Sequence, residues 1–153
     1  MAINPYHNIT TSPDLQVFDF ISSGVKLFKK RVKFELIDDK EQVYNLALCT
    51  LLDNELEDCE TASRNGDMIR VLETVGIIAL MFTDRYPDRK IYFTGSDALR
   101  TRQYQLGIFS HLKAVLDHFI IEGFQFEGKE LKLREPFRTG KNYDAFIFMR
   151  KKS

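Results

Sequence analysis

Val25-Lys26-Leu27-Phe28-Lys29-Lys30-Arg31-Val32-Lys33-Phe34-Glu35-Leu36-Ile37 is the stretch whose reading decides the fold. Phe28, Val32, Phe34 and Leu36 fall on one face; Lys29, Arg31, Lys33 and Glu35 fall on the other. A period of two predicts a β-strand with one face in a core and one in water. Upstream, Val17-Phe18-Asp19-Phe20-Ile21 is a second strand that stops at the turn signal Ser22-Ser23-Gly24. Downstream, Asp38-Asp39-Lys40 turns the chain into Val43–Leu52, a more uniformly apolar strand. Glu57–Ser63 reads as a fourth strand. Residues 1–13, with Pro5 and Pro13, read as an irregular lead-in to one domain over residues 14–153.

Past Ser63 the period changes. Met68, Ile69, Val71, Leu72, Val75, Ile78, Ala79 and Phe82 recur at helical spacing behind Asn65-Gly66-Asp67, which supplies an Asn or Asp N-cap. The helix ends at Tyr86-Pro87, because the residue before proline leaves the helical region. Lys90–Phe93 is a short strand, and a second helix runs from Asp97 to His118. Its stripe is Tyr104, Ile108, Leu112, Val115 and Phe119, with Gly107 as a weak point that costs about 1 kcal/mol against alanine. Phe119–Phe126, Glu130–Arg134 and Asn142–Met149 complete the strands. The order β-β-β-(β)-α-β-α-β-(β)-β predicts an α+β domain, a mainly antiparallel sheet with two principal helices on one face.

The 153 residues carry 22 Lys+Arg against 22 Asp+Glu, so bulk charge steers the chain neither to nucleic acid nor to a membrane. The balance is uneven along the chain. Residues 1–50 hold 6 basic and 6 acidic groups, residues 51–100 hold 6 and 10, and residues 101–153 hold 10 and 6. With 44% hydrophobic and 29% charged residues, the composition is that of a globular domain. The N-terminus has no signal-peptide pattern, and Val75–Phe82 is far short of the roughly 20 apolar residues of a membrane span, so the expected location is the cytoplasm. Cys49 and Cys59 face each other if a hairpin is centred on Asn54. In a cytosolic protein such a pair reads as two reduced thiols; a redox pair is the functional alternative.

Three blocks, Asn65-Gly66-Asp67, Gly95-Ser96-x-x-x-Arg100-Thr101-Arg102-x-Tyr104 and Asn142-Tyr143-Asp144-Ala145-Phe146, resemble a family of single-domain bacterial proteins of unknown function. The resemblance covers nearly the whole chain, and the Gly-Ser…Arg-Thr-Arg-x-Tyr block is its most specific part. It departs from the family pattern at Leu99, where that pattern has alanine. The resemblance implies a compact single domain and no known activity.

The same block has a physical logic. Gly95 permits a sharp turn, Ser96 can cap the second helix, and the free N–H groups of a helix start favour an anion. Arg100 and Tyr104 are four apart and share a helix face; Arg102 lies on another side. Gly95, Ser96, Arg100, Arg102 and Tyr104 are therefore the candidates for holding a phosphate or carboxylate. The competing structural account is that Ser96 only caps and Arg100 packs along Tyr104 while pairing with an acid. Lys29, Arg31 and Lys33, with Lys26 and Lys30 beside them, form a second, basic-strand candidate. Its structural account is a solvated face that discourages edge pairing. Counted from Asp53, the sixth and twelfth positions of a calcium loop hold Asp58 and Arg64 in place of glycine and glutamate, and Thr139-Gly140-Lys141 lacks the upstream glycine of a phosphate loop.

No catalytic, cofactor or metal-ligand constellation stands out. The expected function is a small cytosolic binding module for an anionic partner, with nucleic acid among the candidates, through the helix start at Arg100 and Arg102. The alternatives are a protein–protein partner in a bacterial regulatory or toxin–antitoxin pair, and a small enzyme acting on a phosphorylated or carboxylated metabolite.

Overall fold

A computed structural model of the chain describes residues 3–61 and 64–152. The strands are β1 (Thr10–Thr11), β2 (Val17–Ser23), β3 (Leu27–Asp38), β4 (Val43–Leu51), β5 (Glu57–Asp58), β6 (Lys90–Phe93), β7 (Phe119–Glu127), β8 (Glu130–Pro136) and β9 (Ala145–Arg150). The helices are α1 (Met68–Arg85), α2 (Ala98–His111) and α3 (Lys113–Leu116). The fold is α+β, with one nine-stranded sheet in the order β1-β2-β3-β4-β6-β9-β7-β8 and β5 attached to β4. Every neighbouring pair is antiparallel except β4–β6, which is parallel over Val43↔Lys90, Tyr44↔Ile91 and Asn45↔Tyr92. That pair needs a crossover. α1 is the crossover, and it joins two antiparallel halves into one sheet.

The alternation in β3 holds in the expected sense. Val32 and Phe34 are buried beside Phe18 and Phe20 of β2 and Leu46 of β4. α1 lays Val71, Leu72, Val75, Ile78 and Phe82 on this face, and α2 and α3 add Ile108, Leu112 and Val115. Phe82 is fully buried and stacks on Phe34 with ring centroids 3.8 Å apart, while Tyr44 meets it edge-on at 5.6 Å. A smaller apolar cluster of Val43, Phe124, Ala145 and Ile147 lies on the opposite face of the sheet.

Several boundaries differ from the sequence expectation. The lead-in is part of the fold: it contains β1 and puts Tyr6 into the core at 7% exposure. The fourth strand shrinks to Glu57–Asp58, and its expected far end, Ala62 and Ser63, lies outside the described residues. The second helix runs through Gly107 and breaks at Leu112 instead. Gly107 is there for packing. A Cβ on it would come within 2.8 Å of Leu72 Cδ1, so the glycine lets α2 lie close against α1. Close contact between the two helices outweighs the helix-propensity cost of the glycine.

Phe82→Ala removes the ring on which the crossover seats. It is expected to lower the unfolding free energy by about 3–5 kcal/mol in urea titrations. A loss below about 1 kcal/mol would show that α1 is held elsewhere.

Candidate functional site

The sheet face covered by α1 is not covered to its end. β2, β3 and β4 continue past the helix N-terminus, and there the inward positions turn polar: Ser22, Lys30 and Thr50. Lys30 is in phase with Val32 and Phe34, so it points to the core side and is only 6% exposed. Its ammonium donates to Thr50 Oγ1 across the strand pair at 2.7 Å. Lys30 and Thr50, with Ser23 and Leu48, floor a cleft of about 790 Å³. One wall is Arg64 to Glu73, the lead to α1 and its first turns; the other is Arg100, Gln103 and Tyr104 on α2.

The wall before α1 is built around Asn65, which is 3% exposed. Its side-chain amide donates to Ser22 Oγ at 2.9 Å and to the Lys26 carbonyl at 2.7 Å, and its Oδ1 accepts from the Lys26 N–H at 2.7 Å. Asp67 stands at the N-cap position of α1 but makes no side-chain cap. Its carboxylate accepts from the Tyr6 and Ser22 hydroxyls instead. The Asn-Gly-Asp triplet read as a helix start is thus also a brace that fixes β2, the lead-in and α1 together.

Among the described residues, Lys30, Arg64, Arg70 and Arg100 make no ion pair, as is also true of surface cations such as Lys29, Arg102 and Lys132; Lys30 differs from all of these in being buried. Arg70 donates to the Asn4 carbonyl at 3.1 Å and lies over the Tyr6 ring at 4.1 Å. Arg100 donates to the Glu60 carbonyl. Two acids line the same cleft: Asp67, which accepts from two hydroxyls, and Glu73, which accepts from the Asn4 N–H at 3.1 Å. Burial pushes the Lys30 ammonium below its usual range, and the Arg100 charge adds to the shift while Asp67 opposes it. Burial likewise holds the Tyr104 phenol above its usual range.

The candidates from the sequence separate on this geometry. Arg100 and Tyr104 line the cleft. Gly95 sits behind the start of α2, where a Cβ would come within 2.5 Å of the Thr101 nitrogen. Ser96 is not the cap: Asp97 is, accepting from the Arg100 N–H at 2.7 Å, while Ser96 Oγ donates to the Glu60 carbonyl at 3.0 Å. The start of α2 therefore already carries a carboxylate of its own. Arg102 is exposed and borders a separate depression of about 220 Å³ with Gln105, Lys132 and Asp144.

The basic strand follows its structural account in large part. Arg31 pairs with Asp19 at 2.8 Å and Glu57 at 3.1 Å, and Lys33 pairs with Glu57 at 2.6 Å. Lys29 lies exposed on the same outer face. Lys33 and Arg31 together hold the Glu57 carboxyl below its usual range.

The cysteine expectation is corrected. The hairpin is centred on Asn54, as Thr50↔Asp58 and Leu51↔Glu57 show, and it brings Cys49 and Cys59 face to face. They form a disulfide, not two reduced thiols. Glu57 joins them within 4.8 Å, but the sulfurs are bonded to each other and the carboxylate is held by Lys33 and Arg31.

Residues 3–151 match a family profile described as a family of unknown function. The chain belongs to that family, DUF6934. No curated protein and no solved structure matches it. The DUF6934 chain thus has its fold and family fixed while its chemistry rests on its own geometry. Two of the three blocks behind the family resemblance, Asn65–Asp67 and Gly95–Tyr104, contribute to the same cleft. No described helix is long and apolar enough to cross a membrane.

Lys30→Met keeps the length of the side chain and removes the buried charge. At neutral pH it is expected to stabilise the fold by about 1 kcal/mol or more, since a buried charge without an ionic partner is costly. Lys30 is lowered on folding, so between its folded value and the ordinary 10.5 the unfolded chain holds more protons. Wild-type stability therefore recovers as pH rises through that window, and the advantage of Lys30→Met shrinks. Paired urea titrations at neutral and alkaline pH check both; a destabilised variant with a pH-independent difference contradicts the reading.

Proposed function

We propose that this protein binds a small anionic ligand, phosphorylated or carboxylated, in the cleft floored by Lys30. The observation that carries the reading is the buried Lys30 ammonium, which has a hydroxyl partner and no ion pair, in a cleft that Arg64, Arg70 and Arg100 also line. An ammonium out of water is costly until an opposite charge meets it. A phosphate or carboxylate entering the cleft supplies that charge. Lys30 offers two further N–H donors beyond the Thr50 bond, and the arginines offer the planar forks that suit such oxygens.

The cleft volume of about 790 Å³ is that of a small-molecule site. A nucleic-acid strand would need an extended track, and Arg31 and Lys33 on the outer face of β3 are already neutralised by Asp19 and Glu57. The geometry thus favours the small-ligand form of the anion reading, centred on Arg100 and Lys30 and away from Arg102.

Thermal unfolding with inorganic phosphate and pyrophosphate, at constant ionic strength, tests the proposal. Wild-type protein is expected to gain about 3–6 °C at a ligand concentration tenfold above Kd. Lys30→Met and Arg100→Gln are expected to lose most of that gain. An equal gain in the variants, or the same gain from chloride, would contradict the site.

A further inference from the structure

We infer that the Cys49–Cys59 disulfide is a redox latch on the cleft: closed, it holds Arg100 in its binding position through the Glu60 carbonyl; opened by a dithiol, it releases Arg100 and weakens anion binding. The inference rests on the anion reading above and adds its regulation.

The chain of contacts is short. β5 is only two residues long and ends at Asp58, so Cys59 is the first residue past the strand. The bond to Cys49, in the nine-residue strand β4, fixes that point. Glu60 follows directly. Its carbonyl accepts from the Arg100 guanidinium and from Ser96 Oγ. Asp58 tightens the same turn by accepting from the Glu60 and Thr61 N–H groups at 3.0 Å each. One covalent bond, one residue and one carbonyl thus connect the central sheet to an arginine of the cleft. A guanidinium has five N–H donors, so the carbonyl orients Arg100 while leaving donors for a ligand. Such pre-ordering strengthens binding by removing the cost of ordering the side chain later.

The bond is placed to be opened. Cys49 is 1% exposed, whereas Cys59 is exposed. A thiolate of a dithiol reductant attacks the Cys59 sulfur and the Cys49–Cys59 bond breaks. Cys49 leaves as a thiolate and takes a proton. The second thiol of the reductant then closes its own disulfide and releases Cys59 as a thiol. Two electrons pass from reductant to protein, and the reductant becomes a cyclic disulfide. Ion pairs of Glu57 with Arg31 and Lys33 keep β5 itself attached, so the change is confined to the turn beyond it.

The test uses the full chain, oxidised with glutathione disulfide or reduced with dithiothreitol. Pyrophosphate affinity is measured by calorimetry, and Arg100 reactivity toward phenylglyoxal by peptide mass mapping. The oxidised protein is expected to be two hydrogens lighter than the reduced one and to bind pyrophosphate about fivefold or more tightly. Reduction is expected to speed Arg100 modification. The Cys49→Ser/Cys59→Ser double variant is expected to behave as the reduced protein with or without dithiothreitol. Reduced wild-type protein serves the same purpose if that variant does not fold. Equal affinity in both redox states, with binding intact, overturns the latch and leaves the anion reading standing. No binding in either state overturns the anion reading, and the Arg100 modification rate then judges the latch alone: an unchanged rate, or no disulfide formed, overturns it.

Discussion

The structure depends on how α1 is seated across β3 and β4. The sheet is two antiparallel halves joined by one short parallel pair, β4 with β6. Three residue pairs hold little by themselves. The crossover helix holds the halves together by burying Phe82 against Phe34 and Tyr44 at one end and anchoring Asp67 to Ser22 and Tyr6 at the other. The hydrophobic contribution of the first end and the hydrogen bonds of the second fix the position and length of the covered zone. Where the cover stops, β2, β3 and β4 still present inward-facing side chains, and these must face a cleft. The cleft is thus a consequence of how far the crossover reaches.

That geometry explains why the charges sort as they do. On the outer face of β3, Arg31 and Lys33 meet water and acids and form ordinary ion pairs. On the inner face, Lys30 is in line with Val32 and Phe34 and, among the described residues, bonds only to Thr50. The two faces of one strand give the same residue type opposite meanings. Surface pairs contribute little to stability, whereas a buried unpaired ammonium is a standing cost. That cost lies at the floor of an open cleft, and the proposed anion site rests on it.

Much of this architecture is legible in the residues. The alternation of Val25–Ile37, the helical spacing from Met68 to Phe82 and the turn signals lead to the α+β fold with its sheet mainly antiparallel. The Asn54-centred hairpin also places Cys49 opposite Cys59. The misses have local causes. Asp97 caps α2 because its carboxylate reaches the Arg100 N–H, which leaves Ser96 to bond Glu60; residues this close in type and position are equally plausible caps from spacing alone. Arg100 and Arg102 are neighbours in sequence, but the helical turn sends them to different cavities. Lys30 did carry a signal: one ammonium in the phase of an apolar stripe, Phe28-x-Lys30-x-Val32-x-Phe34. Arg64, Arg70 and Tyr6 carried none, because their convergence depends on the crossover and on the lead-in folding back.

The most direct measurement of the central claim is a titration of pyrophosphate into isotope-labelled protein, followed by the shifts of backbone amides and the lysine side-chain resonances. The account predicts saturable shifts that cluster at Ser22, Lys30, Thr50, Arg64–Arg70 and Arg100–Tyr104, with the Lys30 ammonium among the most affected. Shifts spread over exposed residues such as Lys113, Lys129 and Lys151, rising without saturation and matched by chloride, would contradict it.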